Sequence, residues 1–150
     1  MCGICGYIGP KKLEEDQLWK MNNTMYHRGP DDGGVWQYNN RGVEIGLAQR
    51  RLSILDLSAL GHQPMLSEDG RYVVVYNGEI YNFKEIRRTL EQQGYRFRSN
   101  CDTEVILYAY AEWGSDMFTR FNGMFAIALY DKEENRLILA RDRIGKKPLY

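Results

Sequence analysis

The alternation and clustering of apolar positions lay out most of the elements along this chain. Residues 2–9, CGICGYIG, are small and apolar and read as a buried strand. Leu18, Met21 and Met25 recur at helical spacing and predict a helix over residues 12–25. Residues 26–34, YHRGPDDGG, are dense in Gly, Pro and Asp and read as a loop. Strand-like runs follow at 35–38 and 43–52. The long connection 53–69, with Gly61, His62, Gln63 and Pro64 inside it, reads as irregular.

The second half is patterned more strongly. Residues 71–76 are β-branched and aromatic and predict a strand. Asn82 with Glu85 three positions on resembles a capping box, and Phe83, Ile86 and Leu90 continue as a helical stripe that Gly94 stops. Residues 95–98 read as short and extended. Asp102 opens a further helix in which Val105, Ile106, Leu107, Tyr108, Ala109 and Tyr110 leave little polar surface, so it is buried on several sides. Residues 124–130 and 136–140 predict the two strands of a hairpin around the polar turn 131–135. Leu149 and Tyr150 read as the start of another strand, so the chain reads as a piece of something longer. Strands early and late with helices in blocks between them predict an α+β fold with antiparallel pairing.

Composition narrows the class. A chain of 150 residues suffices for one domain with a real core. Twenty Lys and Arg balance twenty Asp and Glu, so the basic excess of a nucleic-acid binder is missing. No apolar run approaches the roughly 20 residues of a helical membrane span. The start, MCGICG, lacks the basic region and apolar stretch of a signal peptide. These features predict a cytoplasmic protein with neither nucleic acid nor membrane as partner. Three cysteines, Cys2, Cys5 and Cys101, are an odd number and fit a disulfide scaffold poorly.

Cys2 is the residue with most chemistry to offer. Aminopeptidases remove Met1 when the second residue is small, which would leave Cys2 with both a thiol and a free α-amine. A thiol needs a base to become thiolate at neutral pH. An α-amine, with a reference pKa of about 7.7–8.0, is suited to that task. An ordinary small residue near a frayed end is the bland alternative. Cys2 and Cys5 also form a C-x-x-C pair, but zinc would need two further ligands, and Cys101, His27 and His62 are unpaired in sequence. A redox pair belongs at a helix N-terminus, whereas here the two side chains would leave opposite faces of a strand. Cys5 and Cys101 read as buried small hydrophobes.

Other positions carry two readings each. Asn77-Gly78 is the leading signal for a tight hairpin turn. It could equally be an oxyanion hole, with the Asn77 amide and the Gly78 N–H aimed at a developing alkoxide. Glu79 beside it could pair with a substrate ammonium. Arg50 or Arg51 could fork onto a substrate carboxylate, or either could be a solvated surface arginine. Asp102 is a plain helix N-cap or an anchor for an α-ammonium group.

Taken in order, CGICG, HRGPDD, RRLSILDLS, GHQPM, YNGEIYN, CDTEVIL, FAIALYD and ARDRIGKKPLY resemble the class II glutamine amidotransferase domain. Within that class the motifs are most similar to the glutamine-hydrolysing asparagine synthetases of the bacterial type. The resemblance spans nearly the whole chain. It implies the four-layer αββα sandwich of N-terminal nucleophile hydrolases, truncated at its C-terminal end, with residues 1–150 forming an incomplete amidotransferase domain. It further implies that Cys2 attacks the side-chain amide of L-glutamine, and that Asn77 and Gly78 form the oxyanion hole. Arg51 would take the α-carboxylate, Glu79 and Asp102 the α-ammonium, and Leu52, Ser53, Ile54 and Leu55 would add backbone contacts. Arg51 rather than Arg50 follows from the family's R-L-S-I pattern.

No cofactor or metal is implied in this domain. ATP and magnesium are expected in a synthetase domain that makes asparagine from aspartate and lies outside this chain, which has no G-x-x-x-x-G-K-[ST] loop of its own. The expected partners are L-glutamine and that synthetase domain, and a homodimer is compatible with the resemblance. Two alternatives stand beside this reading. One is a binding or regulatory domain that keeps the fold without turnover, although such a domain would be expected to lack Cys2. The other is an enzyme whose acceptor is a sugar or a peptide-like carboxylate.

Overall fold

Arg41 at φ 52° and Gly42 at φ 85° close a two-residue turn that brings two nine-residue strands together, with Asn40 opposite Val43. The computed structural model describes residues 2–52 and 59–150. In chain order its elements are β1 (Gly3–Gly9), α1 (Glu15–Asn23), β2 (Asp32–Asn40), β3 (Val43–Arg51), β4 (Met65–Leu66) and β5 (Tyr72–Ile80), followed by α2 (Phe83–Gln92), α3 (Asp102–Trp113), α4 (Met117–Arg120), β6 (Gly123–Asp131) and β7 (Arg136–Arg141). The strands pair antiparallel in two sheets, β1-β3-β2 and β4-β5-β6-β7.

The period-2 pattern of the strands decides how the layers stack. Ile45 and Leu47 of β3 face Val73 and Val75 of β5 and Ala128 and Tyr130 of β6, and form the core between the sheets. Trp36 and Tyr38 close its end with their rings 5.9 and 6.0 Å from that of Tyr130. Val74, Ile80, Ile127 and Leu129 leave the other face of the second sheet and pack with Leu90 of α2 and Val105 and Ile106 of α3. Full burial of such side chains stabilises by about 1.5–3 kcal/mol each. On the outer face of the first sheet, α1 buries Leu18 completely over Gly46. The result is the αββα sandwich expected of an N-terminal nucleophile hydrolase.

Several local expectations are corrected. The first strand is an edge strand with alternating exposure, not a buried one, and Ile8 is in solvent. The first helix is shorter than 12–25: Met25 lies beyond it, and of the stripe Leu18, Met21 and Met25 only Leu18 is buried. The glycine-rich loop gives way to β2 already at Asp32, because pairing with β3 overrides the local turn signal. Within 53–69, Met65 and Leu66 pair with β5, while 53–58 lie outside the described residues. Leu149 and Tyr150 are in no strand. Asn82 is not a capping side chain: its Oδ1 accepts from the Asn122 N–H at 2.9 Å and its Nδ2 donates to Arg120 O at 2.9 Å, tying α2 to the approach to β6. Gly94 does end α2, with φ 100° and the following N–H of Tyr95 donating back to Leu90 O at 3.1 Å.

Candidate active site

One cleft of about 120 Å³ gathers groups from both sheets: Cys2, Arg51 and Leu52 on one side, and Asn77, Gly78, Glu79 and Asp102 on the other. Each arrives there for a local reason. Cys2 immediately precedes β1, and its carbonyl accepts from Arg28 Nε at 3.1 Å, which pins a terminus that would otherwise fray. Its Sγ sits against Leu52, whose N–H donates to the sulfur at 3.4 Å and whose carbonyl can accept the thiol hydrogen at 3.7 Å. The other two thiols are chemically quieter. Burial pushes Cys5 up to about 11, and burial likewise raises Cys101 in spite of its contact with Ser99 Oγ. All three cysteines are free, so the C-x-x-C pair forms no disulfide.

Alternation along β3 settles which arginine enters the cleft. Ile45, Leu47 and Arg51 share one face, and Arg51 lines the cleft. Gly61 lets it fit, since a Cβ there would lie 2.1 Å from Arg51 Nη2. Arg50 turns the other way, donates to Gly29 O at 2.9 Å and stacks 4.5 Å over the Tyr26 ring. Of the four expected backbone contributors, Leu52 is at the cleft, and Ser53, Ile54 and Leu55 lie outside the described residues.

Asn77-Gly78 is not a turn. Both residues lie inside β5, paired with Ala126 and Phe125 of β6. Asn77 follows Val73 and Val75 onto the face that looks toward the first sheet, and it is buried there at the cleft. Glycine is required at 78 by the pairing itself, since a Cβ would come 2.2 Å from Met124 O. The direction of its N–H follows from the ladder. Antiparallel strands turn the N–H groups of alternate residues to opposite sides. Phe125, opposite Gly78, gives its N–H to Asp142 Oδ2 at 3.1 Å and accepts the Asp142 N–H at 2.8 Å. Gly78 therefore points its own N–H away from β6. On that outer edge the Tyr76 N–H is taken by Gln63 Oε1 at 2.7 Å, and the Ile80 N–H by Asp102 Oδ2 at 3.0 Å. The Gly78 N–H lies between them, past the end of β4, at the cleft.

Asp102 is the first residue of α3, not its cap, a place held by Cys101. The residue is 5 % exposed, and its Oδ2 accepts the Ile80 N–H at 3.0 Å and the Tyr76 hydroxyl at 2.7 Å. Burial raises the carboxyl above its ordinary pKa, the two hydrogen bonds oppose that rise, and the charge of exposed Glu79 adds to it. The site thus presents a thiol, a guanidinium, an amide with a backbone N–H, and two carboxylates.

Four further contributors carried no local signal in the sequence. Arg28 holds Cys2, and Gln63 bridges the Tyr76 N–H to Thr103 Oγ1, which is 3.1 Å from its Nε2. Tyr76 holds Asp102, and buried Lys147 lines the cleft while its backbone N–H donates to Asp142 Oδ2 at 2.9 Å. Gln63 lies in GHQPM and Lys147 in ARDRIGKKPLY, motifs that stood out only as part of an ordered set. Among the described residues no three His, Cys, Asp and Glu gather as ligands for a metal ion, and no helix is long and apolar enough to cross a membrane.

Comparison with known proteins identifies the family. Residues 1–150 match the family described as "Glutamine amidotransferase domain". This chain belongs to that family. It is 42 % identical over 165 residues to a putative glutamine-hydrolysing asparagine synthetase 2 of Methanocaldococcus jannaschii, covering all of this chain and 32 % of the relative. It is 38 % identical to glutamine-hydrolysing asparagine synthetase 3 of Bacillus subtilis, covering all of this chain and 24 % of the relative. This chain thus spans about a third or less of the length of these relatives. Among solved structures, glutamine phosphoribosylpyrophosphate amidotransferase from B. subtilis superposes with a TM-score of 0.70 over 92 % of this chain and 37 % of its own. At 16 % identity this establishes the shared fold.

Proposed function

We propose that this amidotransferase domain hydrolyses the side-chain amide of L-glutamine with Cys2, exposed by removal of Met1, as nucleophile. The observation that carries the reading is the convergence of Cys2, Arg51, Asn77, Gly78, Glu79 and Asp102 on one cleft. The α-amine of Cys2 takes the thiol proton as sulfur attacks the amide carbon, and the carbonyl oxygen becomes an oxyanion facing the Asn77 amide and the Gly78 N–H. Collapse breaks the C–N bond, and the amine returns the proton to nitrogen, which leaves as ammonia. Water then cleaves the thioester to glutamate and restores the thiol. Arg51 meets the α-carboxylate, and Glu79 and Asp102 meet the α-ammonium. An analogue lacking either charge would leave a buried partner unpaired, which is the physical basis of selectivity.

The relatives support a wider proposal in which the ammonia passes to a synthetase domain that makes asparagine from aspartate, with ATP and magnesium held by that domain. Free thiols in a working site suit a cytoplasmic setting. The test is Cys2→Ala in the intact protein. Glutamate formation from glutamine and glutamine-dependent asparagine formation should be lost, while asparagine formation from added ammonia continues. Glutamine hydrolysis surviving that change would overturn the reading.

A further inference from the structure

Tyr76 lines the same cleft without a role assigned toward glutamine, and it is bound to one of the groups that has one. Its hydroxyl donates to Asp102 Oδ2 at 2.7 Å in a buried setting, and the Ile80 N–H reaches the same oxygen at 3.0 Å. Both donors hold one carboxylate oxygen against β5. With that oxygen tied down, the plane of the carboxylate is fixed by two bonds of unlike origin, one from backbone and one from a side chain. The phenol is itself held in place: its backbone N–H is taken by Gln63 at 2.7 Å, and its ring packs against Gly78, where a Cβ would lie 2.8 Å from Tyr76 Cε2. Burial and the neighbouring carboxylate hold the phenol well above its usual pKa, so it remains a donor throughout the working range.

We infer that Tyr76 is a positioning residue for glutamine recognition: it orients the Asp102 carboxylate and favours its charged form, so that the substrate ammonium finds an anion already in place. The inference rests on the assignment of Asp102 to the ammonium. The charged and titratable groups around Asp102 are Tyr76 and Glu79 from β5, Cys101 before α3, and Cys2, Arg51 and Lys147 across the cleft. Of these, Tyr76 is the one whose side chain donates directly to the carboxylate.

The experiment measures the pH dependence of kcat/KM for glutamine in the intact protein carrying Tyr76→Phe. Loss of a hydrogen bond to a charged group should raise KM about tenfold, with kcat changed much less. The acid limb should move to higher pH, because Phe removes an interaction that favours the carboxylate. Replacing Tyr76 with 3-fluorotyrosine, a stronger donor of nearly the same shape, should move that limb the opposite way and covers the case in which Phe disturbs folding. A limb that stays fixed in both variants overturns the inference, as does a loss confined to kcat. Asp102→Asn is the control for the underlying assignment. If it leaves KM unchanged, the ammonium assignment fails; if it raises KM while neither Tyr76 variant moves the limb, only the role of Tyr76 fails.

Discussion

The two sheets bring opposite halves of the chemistry to the cleft and hold them by different means. The first sheet supplies the thiol and the cation from its margins: Cys2 just ahead of an edge strand, and Arg51 on the last residue of β3. The second half of the cleft holds the groups proposed to meet the developing charge and the ammonium: Asn77 and Gly78 inside β5, paired there with β6 and open past the end of β4, and Asp102 at the foot of a helix buried through most of its length. The proposed nucleophile is a terminal residue ahead of an edge strand, where Cys2 is held by single tethers such as Arg28 and the Leu52 N–H. An oxyanion hole gains from rigidity, and a strand interior provides it.

That contrast can be broken from the second sheet first. Asn77→Ala removes one oxyanion donor and should lower kcat by about 10²–10³ with a much smaller change in KM. Steady-state glutaminase kinetics would show it, and a loss carried by KM alone would contradict the assignment. From the first sheet, Arg51→Lys keeps the charge but loses the fork that matches a carboxylate. KM for glutamine should rise about ten- to a hundredfold, the range expected for charge-assisted hydrogen bonds, with kcat largely kept. Arg50→Lys, on the opposite face, serves as the comparison and should leave KM near its starting value.

The smallest effect sharpens the contrast through pH. Asp102 is held above the ordinary carboxylate range chiefly by burial, and the charge of Glu79 adds to the rise. Ammonium binding needs the charged carboxylate, so kcat/KM should fall as pH drops through that raised pKa, earlier than an ordinary aspartate would cause. Glu79→Gln removes the neighbouring negative charge and should move this acid limb to lower pH. Because Glu79 is exposed and screened, the accompanying rise in KM at neutral pH should stay below about tenfold. A limb that moves upward instead would show that Glu79 acts on some other group.

Much of the fold was readable because the patterns are local. The β6–β7 hairpin, the stripe of α2 and the all-round apolar face of α3 each follow from a few consecutive residues. Where a local signal failed or carried two readings, a distant partner decided the outcome. Asn77-Gly78 carries the composition of a turn, yet pairing with Phe125 and Ala126 draws it into a strand. Asn82 has the residues of a capping box, yet its amide is used by Asn122 and Arg120. Asp102 looks like a cap and is instead turned into the core by Tyr76 and Ile80. Of the site, Cys2, Glu79, Asp102 and the Arg50-Arg51 pair offered suitable chemistry by residue type, while the choice of Arg51 and the role of each residue came from the resemblance to the family. Gln63, Tyr76 and Lys147 could not be named in advance, since their roles depend on neighbours 13 to 40 positions away or on burial alone.

The most direct test of the central claim is to trap the covalent intermediate. Intact protein quenched in acid during glutamine turnover, then digested and mapped by mass, should carry a glutamyl group on the thiol of an N-terminal peptide that begins at Cys2. Cys5 and Cys101, both held above the ordinary thiol pKa by burial, should be unmodified. A glutamyl group on either of those residues, or turnover by protein that still begins with Met1, would contradict the account.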